Sequence, residues 1–333
     1  MTSAPTSTMP GARRGVLLGD WGHFGEVLAE IDASGGALSL VGSATDEASA
    51  SVLLRDARPD FAIVSARPDR IPGLVALAAR SGCHVVSEKP LALDIAALRS
   101  LFAAVAKSGV RVCPMLSNRT RPALAAAVAA IRAGVIGRPV LLSARKTYKW
   151  GASRPAWFGD RAAYGGTIPW IGIHALDFID AATDGDPVAE VAAFHANLAH
   201  PALPGCEDAC ALALRLRSGA LATATLDYLR PESPVPHGDD GLRVAGERGE
   251  LTVDIDRGRA VLLESGAAPR ELPLPAPEPF YAPWLLALPP RGVPAPPDDR
   301  TLRAFRLSSE ALAAREAADS GRPVRLPFPE TFW

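Results

Sequence analysis

The spacing of apolar residues divides the chain into two parts. In the first part, short apolar runs alternate with segments in which apolar residues recur every three to four positions, as in Phe24, Val27, Leu28 and Ile31. This alternation predicts buried parallel strands connected by amphipathic helices. The predicted strands cover residues 15–18, 38–41, 61–65, 85–87 and 110–113. We therefore expect an α/β domain over residues 13–120.

The second part alternates between apolar and polar residues with a period of two, which predicts strands with one buried face. These strands cover residues 139–150, 187–199, 209–217, 221–229, 242–245 and 251–254. We predict an α+β domain over residues 121–299 with a large open, mainly antiparallel sheet. Its proline-dense segment, 269–297, predicts irregular covering that serves as a substrate lid or a dimer contact. A closing helix over residues 300–321 is expected to pack back on the first domain.

Composition and charge exclude several classes of protein. The chain has 333 residues, 48% of them hydrophobic, and a formal net charge of −1. A basic surface for nucleic acid or membranes is therefore not indicated. Residues 1–12 are rich in Ser, Thr and Pro and predict a disordered tail. The four cysteines do not form a disulfide or metal pattern, so we expect buried free thiols, no metal and a cytoplasmic location.

A glycine-rich turn follows the first predicted strand and contains Gly19, Gly22 and Gly25. Such a turn between a strand and a helix lets the backbone approach a pyrophosphate at the helix N-terminus. The spacing differs from the usual Gly-x-Gly-x-x-Gly, which would place Asp20 at the first glycine. A turn without a ligand is the alternative, but the strand–turn–helix context favours a dinucleotide site.

Glu88-Lys89-Pro90 ends the apolar run Val85-Val86. The carboxyl ends of strands in open α/β sheets face the crevice where ligands bind, and a proline stops the strand ladder. Lys89 is one of only four lysines among 35 basic residues. Lysine, unlike arginine, has a pKa that its surroundings shift readily, which suits proton transfer. An ordinary surface lysine at a strand end is the alternative.

The stretch Gly82-Cys83-His84-Val85-Val86-Ser87-Glu88-Lys89-Pro90 resembles the hallmark of the glucose-fructose oxidoreductase/inositol dehydrogenase (Gfo/Idh/MocA) family. The resemblance implies a Rossmann dinucleotide-binding domain in which Lys89 lies beside the nicotinamide ring and takes part in proton transfer. A second stretch, from Gly165-Gly166 through His174 to Asp177, is similar to another family motif and implies that His174 flanks the reacting carbon. Trp170 stands where that motif has an aspartate.

The resemblance also implies which residues contact the two ligands, with Lys89 and His174 as the catalytic pair. The cofactor contacts are Gly19, Gly22, His23, Phe24, Thr45, Ser65, Arg67, Glu88, Lys89 and Asn118. For the substrate, the resemblance implies Trp170, His174 and Asp177. Lys146 and Tyr148 are also predicted as substrate contacts, because they share one face of the strand 139–150, which carries two of the four lysines; a solvated strand edge is the alternative. Thr45 would tolerate a 2′-phosphate but Asp46 and Glu47 would repel it, so NAD is favoured over NADP.

These features predict an NAD(P)-dependent oxidoreductase that transfers a hydride between nicotinamide and a secondary alcohol or ketone of a sugar, cyclitol or polyol-like substrate. One alternative is an NAD(P)-binding sensor without turnover, which Trp170 and the altered glycine turn favour. Another is an NAD-dependent lyase or glycoside-cleaving enzyme with transient hydride transfer. The half-apolar face of the open sheet predicts a homodimer or homotetramer.

Overall fold

The computed structural model describes residues 12–151, 154–233 and 235–327. The predicted tail lies outside them except for Ala12. The described residues divide into two compact units. Unit 1 contains the residues up to Met115 together with Pro279–Phe305, and unit 2 contains Leu116–Glu278 together with residues 306–327. The division therefore falls five residues before the predicted boundary at residue 120 and assigns a late segment of the chain to unit 1.

Unit 1 is built on a parallel sheet in the order β2-β1-β3-β4-β5. Its strands are β1 (Arg13–Leu18), β2 (Leu38–Ala44), β3 (Phe61–Val64), β4 (His84–Ser87) and β5 (Val112–Pro114). The connecting helices are α1 (Phe24–Asp32), α2 (Glu47–Ala57), α3 (Ile71–Arg80) and α4 (Ile95–Ser108). The α/β fold with a Rossmann-like parallel sheet is thus confirmed.

Local sequence explains where these elements begin and end. The side chain of Asp46 accepts a hydrogen bond from the Ser49 backbone N–H and begins α2, and Asp94 begins α4 in the same way through Ala97. Strands β3 and β4 are buried along their whole length, as a sheet covered on both faces requires. The strand order reverses between β1 and β3, which is where ligands bind in folds of this kind.

The proline-dense segment contributes to the core of unit 1. Phe280, Tyr281 and Leu285 are buried against Ile63 and other residues of the parallel sheet, and Ala282–Leu286 forms the short helix α8. The Glu30 carboxylate accepts hydrogen bonds from three successive backbone N–H groups of this segment. The aromatic residues between the prolines therefore make this stretch part of the hydrophobic core, which the expectation of a lid or dimer contact did not anticipate.

Unit 2 contains a nine-stranded sheet among the described residues, in the order β13-β12-β11-β10-β6-β9-β8-β7-β14. Its strands are β6 (Pro139–Lys149), β7 (Val188–Ala196), β8 (Ala209–Leu216), β9 (Leu221–Arg230), β10 (Gly241–Gly246), β11 (Gly249–Asp254), β12 (Arg259–Glu264), β13 (Arg270–Glu271) and β14 (Val324–Arg325). Strand β6 pairs with β9 in parallel, and the other described pairs are antiparallel. The large, mainly antiparallel sheet is confirmed, with β12 to β14 added to the predicted strands.

Three helices of unit 2 are α5 (Pro122–Arg132), the short α6 (Arg161–Tyr164) and α7 (Ile173–Ala182). A π-helical turn, Ile168–Gly172, leads directly into α7. A Cβ atom on Gly172 would lie 2.7 Å from Leu226 Cδ1 on β9. The absence of a side chain at Gly172 therefore allows this turn to approach the sheet.

The long helix α9 (Asp299–Ser320) contributes to both units. Thr301 accepts a hydrogen bond from the Val112 backbone N–H, and Phe305 packs edge-to-face on Phe102 in unit 1. The residues from Arg306 onward belong to unit 2, where Glu310 accepts a hydrogen bond from the Val188 backbone N–H. The closing helix that was predicted to pack on the first domain thus has its first residues in unit 1 and the rest in unit 2. Within the described ranges, no helix combines the length and the apolar character needed to cross a membrane.

Candidate functional site

The glycine turn after β1 has a backbone that other residues cannot readily adopt. Gly19 and Gly22 have φ angles of +103° and +129°. A Cβ atom would lie 2.1 Å from the Ser65 carbonyl oxygen at Gly19, and 2.5 Å from Glu88 Oε1 at Gly22. Both positions therefore require glycine. Gly25 is different, because a Cβ atom there would meet nothing within 4 Å.

Glu88 holds this turn from the end of β4. Its buried Oε1 accepts a 2.5 Å hydrogen bond from the His23 backbone N–H and lies 2.5 Å from His23 Nδ1. Burial alone would raise the pKa of Glu88, but the charges of His23 and Lys89 and the hydrogen bonds from His23 bring that pKa down to about 2. Glu88 is thus an ionised carboxylate that fixes the start of α1.

Lys89 is the next residue and is 1% exposed. Its backbone N–H donates to Glu88 Oε2 over 3.1 Å, and its Nζ lies 3.9 Å from the same oxygen. The Lys89–Pro90 peptide bond is cis. Ser65, at the end of β3, donates a hydrogen bond from Oγ to the Trp21 carbonyl oxygen over 3.1 Å. The ends of β1, β3 and β4 thus bring the glycine turn, a hydroxyl group and a buried ion pair together.

The other predicted cofactor contacts in unit 1 lie around this cluster. Thr45 is exposed, and its carbonyl oxygen accepts a 2.5 Å hydrogen bond from Arg70. Arg67 forms an ion pair with Asp69 at 2.6 Å. The Phe24 side chain packs against the hydrophobic core, so its backbone N–H is the group it can offer to a ligand. Asn118 belongs to unit 2, in the 3-10 turn Ser117–Thr120.

In unit 2, the π-helical turn and α7 carry Trp170, His174 and Asp177, all buried. Arg119 Nε donates to Asp177 Oδ1 over 2.7 Å, and Arg119 also pairs with Asp180. Burial alone would lower the pKa of Arg119, but the two carboxylates raise it above its ordinary value. Asp177, predicted from the sequence as a substrate contact, is therefore one member of a buried ion-pair network.

That network extends along the chain to α9. Arg306 pairs with Asp180, and its guanidinium lies 3.5 Å from Glu310. Asp180 follows Asp177 by three residues on the same helix, so the sequence offered a signal for it. Arg306 lies more than a hundred residues further along the chain, and no local pattern links it to α7. Sequence reasoning missed both residues.

Lys146 on β6 forms a second buried ion pair, with Asp240. Lys146 is 2% exposed and Asp240 is 3% exposed. The Lys146 Nζ also lies 4.4 Å from the centre of the Tyr148 ring. Burial alone would lower the pKa of Lys146, but Tyr148 and Asp240 raise it, so the ammonium is retained at neutral pH. The structure thus brings together the predicted residues Lys146 and Tyr148 and adds Asp240, which the sequence did not indicate.

Several aromatic rings of unit 2 form what we call the aromatic cluster, consisting of Tyr148, Trp150, Phe158, Tyr164, Trp170 and Tyr228. The Trp170 ring centre lies 6.3 Å from those of Phe158 and Tyr164. The Tyr148 ring stacks on that of Tyr228 at 6.4 Å. Trp170 is therefore surrounded by aromatic side chains, and Tyr148 belongs to the same cluster.

A search of the described ranges finds no group of three or more His, Cys, Asp or Glu side chains arranged to hold a metal ion. The four cysteines are free and buried.

Two protein-family models match this chain. Residues 37–115 match the family described as "Oxidoreductase family, NAD-binding Rossmann fold". Residues 124–252 match the model described as "GFO/IDH/MocA C-terminal domain". The chain belongs to the Gfo/Idh/MocA family. It therefore has the NAD-binding oxidoreductase fold that the Glu88-Lys89-Pro90 and His174 motifs predicted.

Two curated relatives of this Gfo/Idh/MocA chain act on sugars, according to their names. It is 27% identical over 209 residues to D-apiose dehydrogenase from Paraburkholderia graminis, covering 62% of this chain and 54% of that protein. It is 29% identical over 175 residues to 1,5-anhydro-D-fructose reductase from Ensifer adhaerens, covering 52% of this chain and 50% of that protein. The matches thus span about half the length of these relatives.

Solved structures share the fold over nearly the whole chain. An inositol dehydrogenase homolog complexed with NAD⁺ from Azotobacter vinelandii has a TM-score of 0.74 and 13% identity, covering 96% of this chain and 100% of that one. An aldose-aldose oxidoreductase complexed with glycerol from Caulobacter crescentus has a TM-score of 0.72 and 19% identity, covering 94% and 100%. At these identities the similarity establishes the fold.

Proposed function

We propose that this Gfo/Idh/MocA chain is an NAD(P)-dependent oxidoreductase acting on a secondary alcohol or ketone of a sugar, cyclitol or polyol-like substrate. The observation that carries the proposal is the buried Glu88–Lys89 pair at the end of β4, directly beside the glycine turn. A lysine that is almost fully buried at a strand end has no role in solubility. Its position beside a turn suited to a pyrophosphate is what proton transfer next to a nicotinamide needs.

The residues present fit a nicotinamide dinucleotide. The turn places the N-terminus of α1, the end of a helix that favours an anion, beside open space at Gly25. The bound nicotinamide would supply or accept the hydride. We assign Gly19, Gly22, His23, Phe24 and Ser65 to holding the cofactor, together with the other contacts predicted from the sequence.

A substitution at Gly25 tests this cofactor site more sharply than one at Gly22, where a new side chain would collide with Glu88 and Ser65 within the protein itself. Gly25→Val adds bulk to open space and should weaken NAD⁺ binding at least about tenfold, because the pyrophosphate can no longer approach the helix. Ala29→Val, at an exposed position on the same helix, is the matched control. Unchanged affinity of Gly25→Val in titration calorimetry would exclude this site.

We propose NAD as the preferred cofactor. Asp46 follows the end of β2, and its hydrogen bonds with Ser49 lower its pKa, so it is charged at neutral pH and would repel a 2′-phosphate. Asp46→Asn keeps a side-chain oxygen for the helix cap and removes the charge. This variant should raise NADP⁺ affinity more than NAD⁺ affinity. An unchanged ratio of the two affinities would mean that Asp46 does not set the preference.

For the chemistry, we assign proton transfer to Lys89 and binding of the reacting hydroxyl to His174. Trp170 cannot replace a carboxylate as proton acceptor, because an indole N–H only donates. Lys146, Tyr148, Trp170 and Asp177 are assigned to the substrate side. Removal of the Lys89 side chain should therefore lower the turnover rate more than removal of the His174 side chain.

A cofactor-consumption assay across neutral sugars, cyclitols and sugar acids tests the activity. Net conversion of NAD(P)⁺ to NAD(P)H supports the proposed dehydrogenase. Cofactor binding without conversion of any compound would favour a sensor, and substrate cleavage without net cofactor change would favour a lyase or glycoside-cleaving enzyme. We place this activity in the cytoplasm, because the four cysteines are free thiols.

We further propose that the protein is a homodimer or homotetramer formed through the outer face of the unit 2 sheet. Phe194 on β7 is 73% exposed there, and Leu141 and Leu221 lie side by side on β6 and β9 with more than two fifths of their surface exposed. Burial of such side chains would favour association. Light scattering should give a multiple of the chain mass, and Phe194→Glu should reduce it. A monomeric wild-type mass at micromolar concentration would contradict this.

A further inference from the structure

Arg154 lies between β6 and α6 and is surrounded by three rings of the aromatic cluster. Its guanidinium carbon is 4.0 Å from the ring centre of Tyr228, 4.5 Å from that of Trp150 and 4.7 Å from that of Phe158. The side chain is half-buried. Contacts of this kind attract a cation to the ring faces and hold the guanidinium in one place.

Within the described ranges, Arg154 uses only part of its hydrogen-bonding capacity. Nε and Nη2 donate to the Trp150 carbonyl oxygen over 3.1 and 2.7 Å. These bonds use two of the five guanidinium N–H groups, which leaves three, two of them on Nη1. Among the residues that the structure describes, no carboxylate forms an ion pair with Arg154. Lys146, in contrast, is neutralised by Asp240.

The aromatic contacts place Arg154 close to the side chains assigned to the substrate. Tyr228, which Arg154 contacts, stacks on Tyr148 at 6.4 Å. Phe158, which Arg154 also contacts, lies 6.3 Å from Trp170. All these residues belong to unit 2. A fixed positive charge, without an acidic partner in the described part of the chain, therefore borders the residues that would surround the sugar.

We propose that Arg154 binds a carboxylate of the substrate, so that the substrate is a sugar acid. This inference rests on the proposed function and deepens it. The aromatic rings occupy the space beside the guanidinium, so an anion approaches along the N–H edge. Parallel N–H groups on that edge match the two oxygens of a carboxylate, and a bidentate pair of this kind is strong and specific. A neutral sugar has no carboxylate to accept hydrogen bonds from these Arg154 N–H groups.

Two matched pairs of probes test the proposal: D-glucuronate with D-glucose, and D-gluconate with D-glucitol. Within each pair, a carboxylate replaces a CH₂OH group. For the wild type we expect kcat/KM at least about tenfold higher for the acid of at least one pair. Arg154→Met should lower kcat/KM for that acid about 10- to 100-fold, mainly through KM, and leave the neutral partner nearly unchanged. Arg154→Lys keeps the charge and should retain part of the preference.

Arg300→Met is the matched control. Arg300 also lies over an aromatic ring, 4.2 Å from the centre of Phe280, and donates to the carbonyl oxygen of that same residue. It belongs to unit 1. Removing Arg300 should change stability without changing the ratio of kcat/KM for the acid to that for the neutral sugar, because the aromatic ring that Arg300 contacts, Phe280, is not part of the aromatic cluster.

Three results would overturn the inference: no preference of the wild type for either acid, an acid preference that Arg154→Met retains, or a stronger preference for glucose 6-phosphate than for glucuronate. If the protein turns over the neutral sugars while giving any of these results, the sugar-acid inference is wrong but the proposed function is still supported. NAD(H) binding with no turnover of any probe overturns the sugar-acid inference and, together with no turnover across the wider panel, the proposed function as well.

Discussion

The glycine turn of unit 1 and helix α7 of unit 2 both hold predicted site residues, but different forces fix them. In unit 1, one carboxylate, that of Glu88, receives the backbone N–H of His23 and faces Lys89. In unit 2, Asp177 and Asp180 are held by Arg119 and Arg306. The first site depends on backbone shape around a single charge, and the second on a network of opposite charges.

This difference indicates which substitutions should change the reaction rate and which should change the stability of the protein. The Lys89 side chain takes no part in the hydrogen bond between the His23 backbone N–H and Glu88, so its removal should leave that bond in place. The charged partners of α7 support one another, so the removal of one leaves a buried charge. We therefore expect rate effects to dominate in unit 1 and stability effects to dominate in unit 2.

The largest expected effect is on turnover. Lys89→Ala should lower the single-turnover rate of hydride transfer about 10²- to 10⁴-fold, because a positioned acid–base group is lost. Cofactor binding should persist, since the Glu88–His23 hydrogen bond remains. Lys107→Ala, at an exposed position on α4, is the control. A Lys89→Ala rate close to that of the wild type would remove Lys89 from the mechanism.

Arg119→Met should produce the largest loss of stability. It removes the Arg119 partner of two buried carboxylates, and breaking a buried ion pair in this way costs about 3–5 kcal/mol in the free energy of unfolding. Arg132→Met is the matched control, because Arg132 and its partner Asp184 are both well exposed, and the loss should be at most about 1 kcal/mol. Equal losses for the two variants in urea unfolding would show that the network does not stabilise α7.

His84 gives unit 1 a pH dependence of defined sign. Burial, together with the charges of Arg111 and Arg13, lowers the pKa of His84 from 6.5 to about 4. The folded protein then binds fewer protons than the unfolded chain, so stability falls as the pH drops below 6.5. The loss between pH 7 and pH 5 should be about 2 kcal/mol.

His84→Asn removes the titrating group and keeps an acceptor for the Arg111 backbone N–H, which His84 Nδ1 accepts at 3.0 Å. Its free energy of unfolding should depend less on pH over this range. If the variant and the wild type show the same slope in urea unfolding, His84 is not the group responsible.

The smallest effect has the opposite sign and comes from unit 2. Burial raises the pKa of Glu310 from 4.5 to about 7, although Arg306 opposes this. The folded protein retains the proton, so this stabilisation is fully present below pH 4.5 and is lost as the pH rises through 7. Glu310→Gln keeps the oxygen that accepts the hydrogen bond from the Val188 N–H. In the wild type, Glu310 should lower the free energy of unfolding by about 1 kcal/mol between pH 5 and pH 6, and the variant should lack this decrease. If the free energy of unfolding depends on pH in the same way in the variant and the wild type, this prediction is wrong.

The period of the apolar pattern was enough to predict both sheets, because local spacing determines which residues can be buried together. Gly22 and Lys89 could also be found, since each stands directly at the end of a strand or in the turn that follows. The role of Glu88 in holding that turn could not, because His23 lies 65 residues away in the sequence.

The same limit applies to unit 2. The Lys146–Asp240 and Asp180–Arg306 pairs join residues 94 and 126 positions apart, and no local pattern connects them. Arg154 was missed for a different reason. Its four-residue distances from Trp150 and Phe158 are short, but the loop between them has no periodic pattern, and the ring of Tyr228 reaches Arg154 only through the tertiary fold.

The most direct test of the account is isotope transfer from the cofactor. NADH carrying deuterium at the transferable nicotinamide position is incubated with the protein and the ketone product of the substrate found in the turnover panel, and the alcohol formed is analysed by mass spectrometry. We predict one deuterium on the carbon that carried the carbonyl group, and a rate of this transfer about 10²- to 10⁴-fold lower in Lys89→Ala with NADH still bound. Alcohol without deuterium, or no alcohol while NADH remains bound and unchanged, would contradict the account.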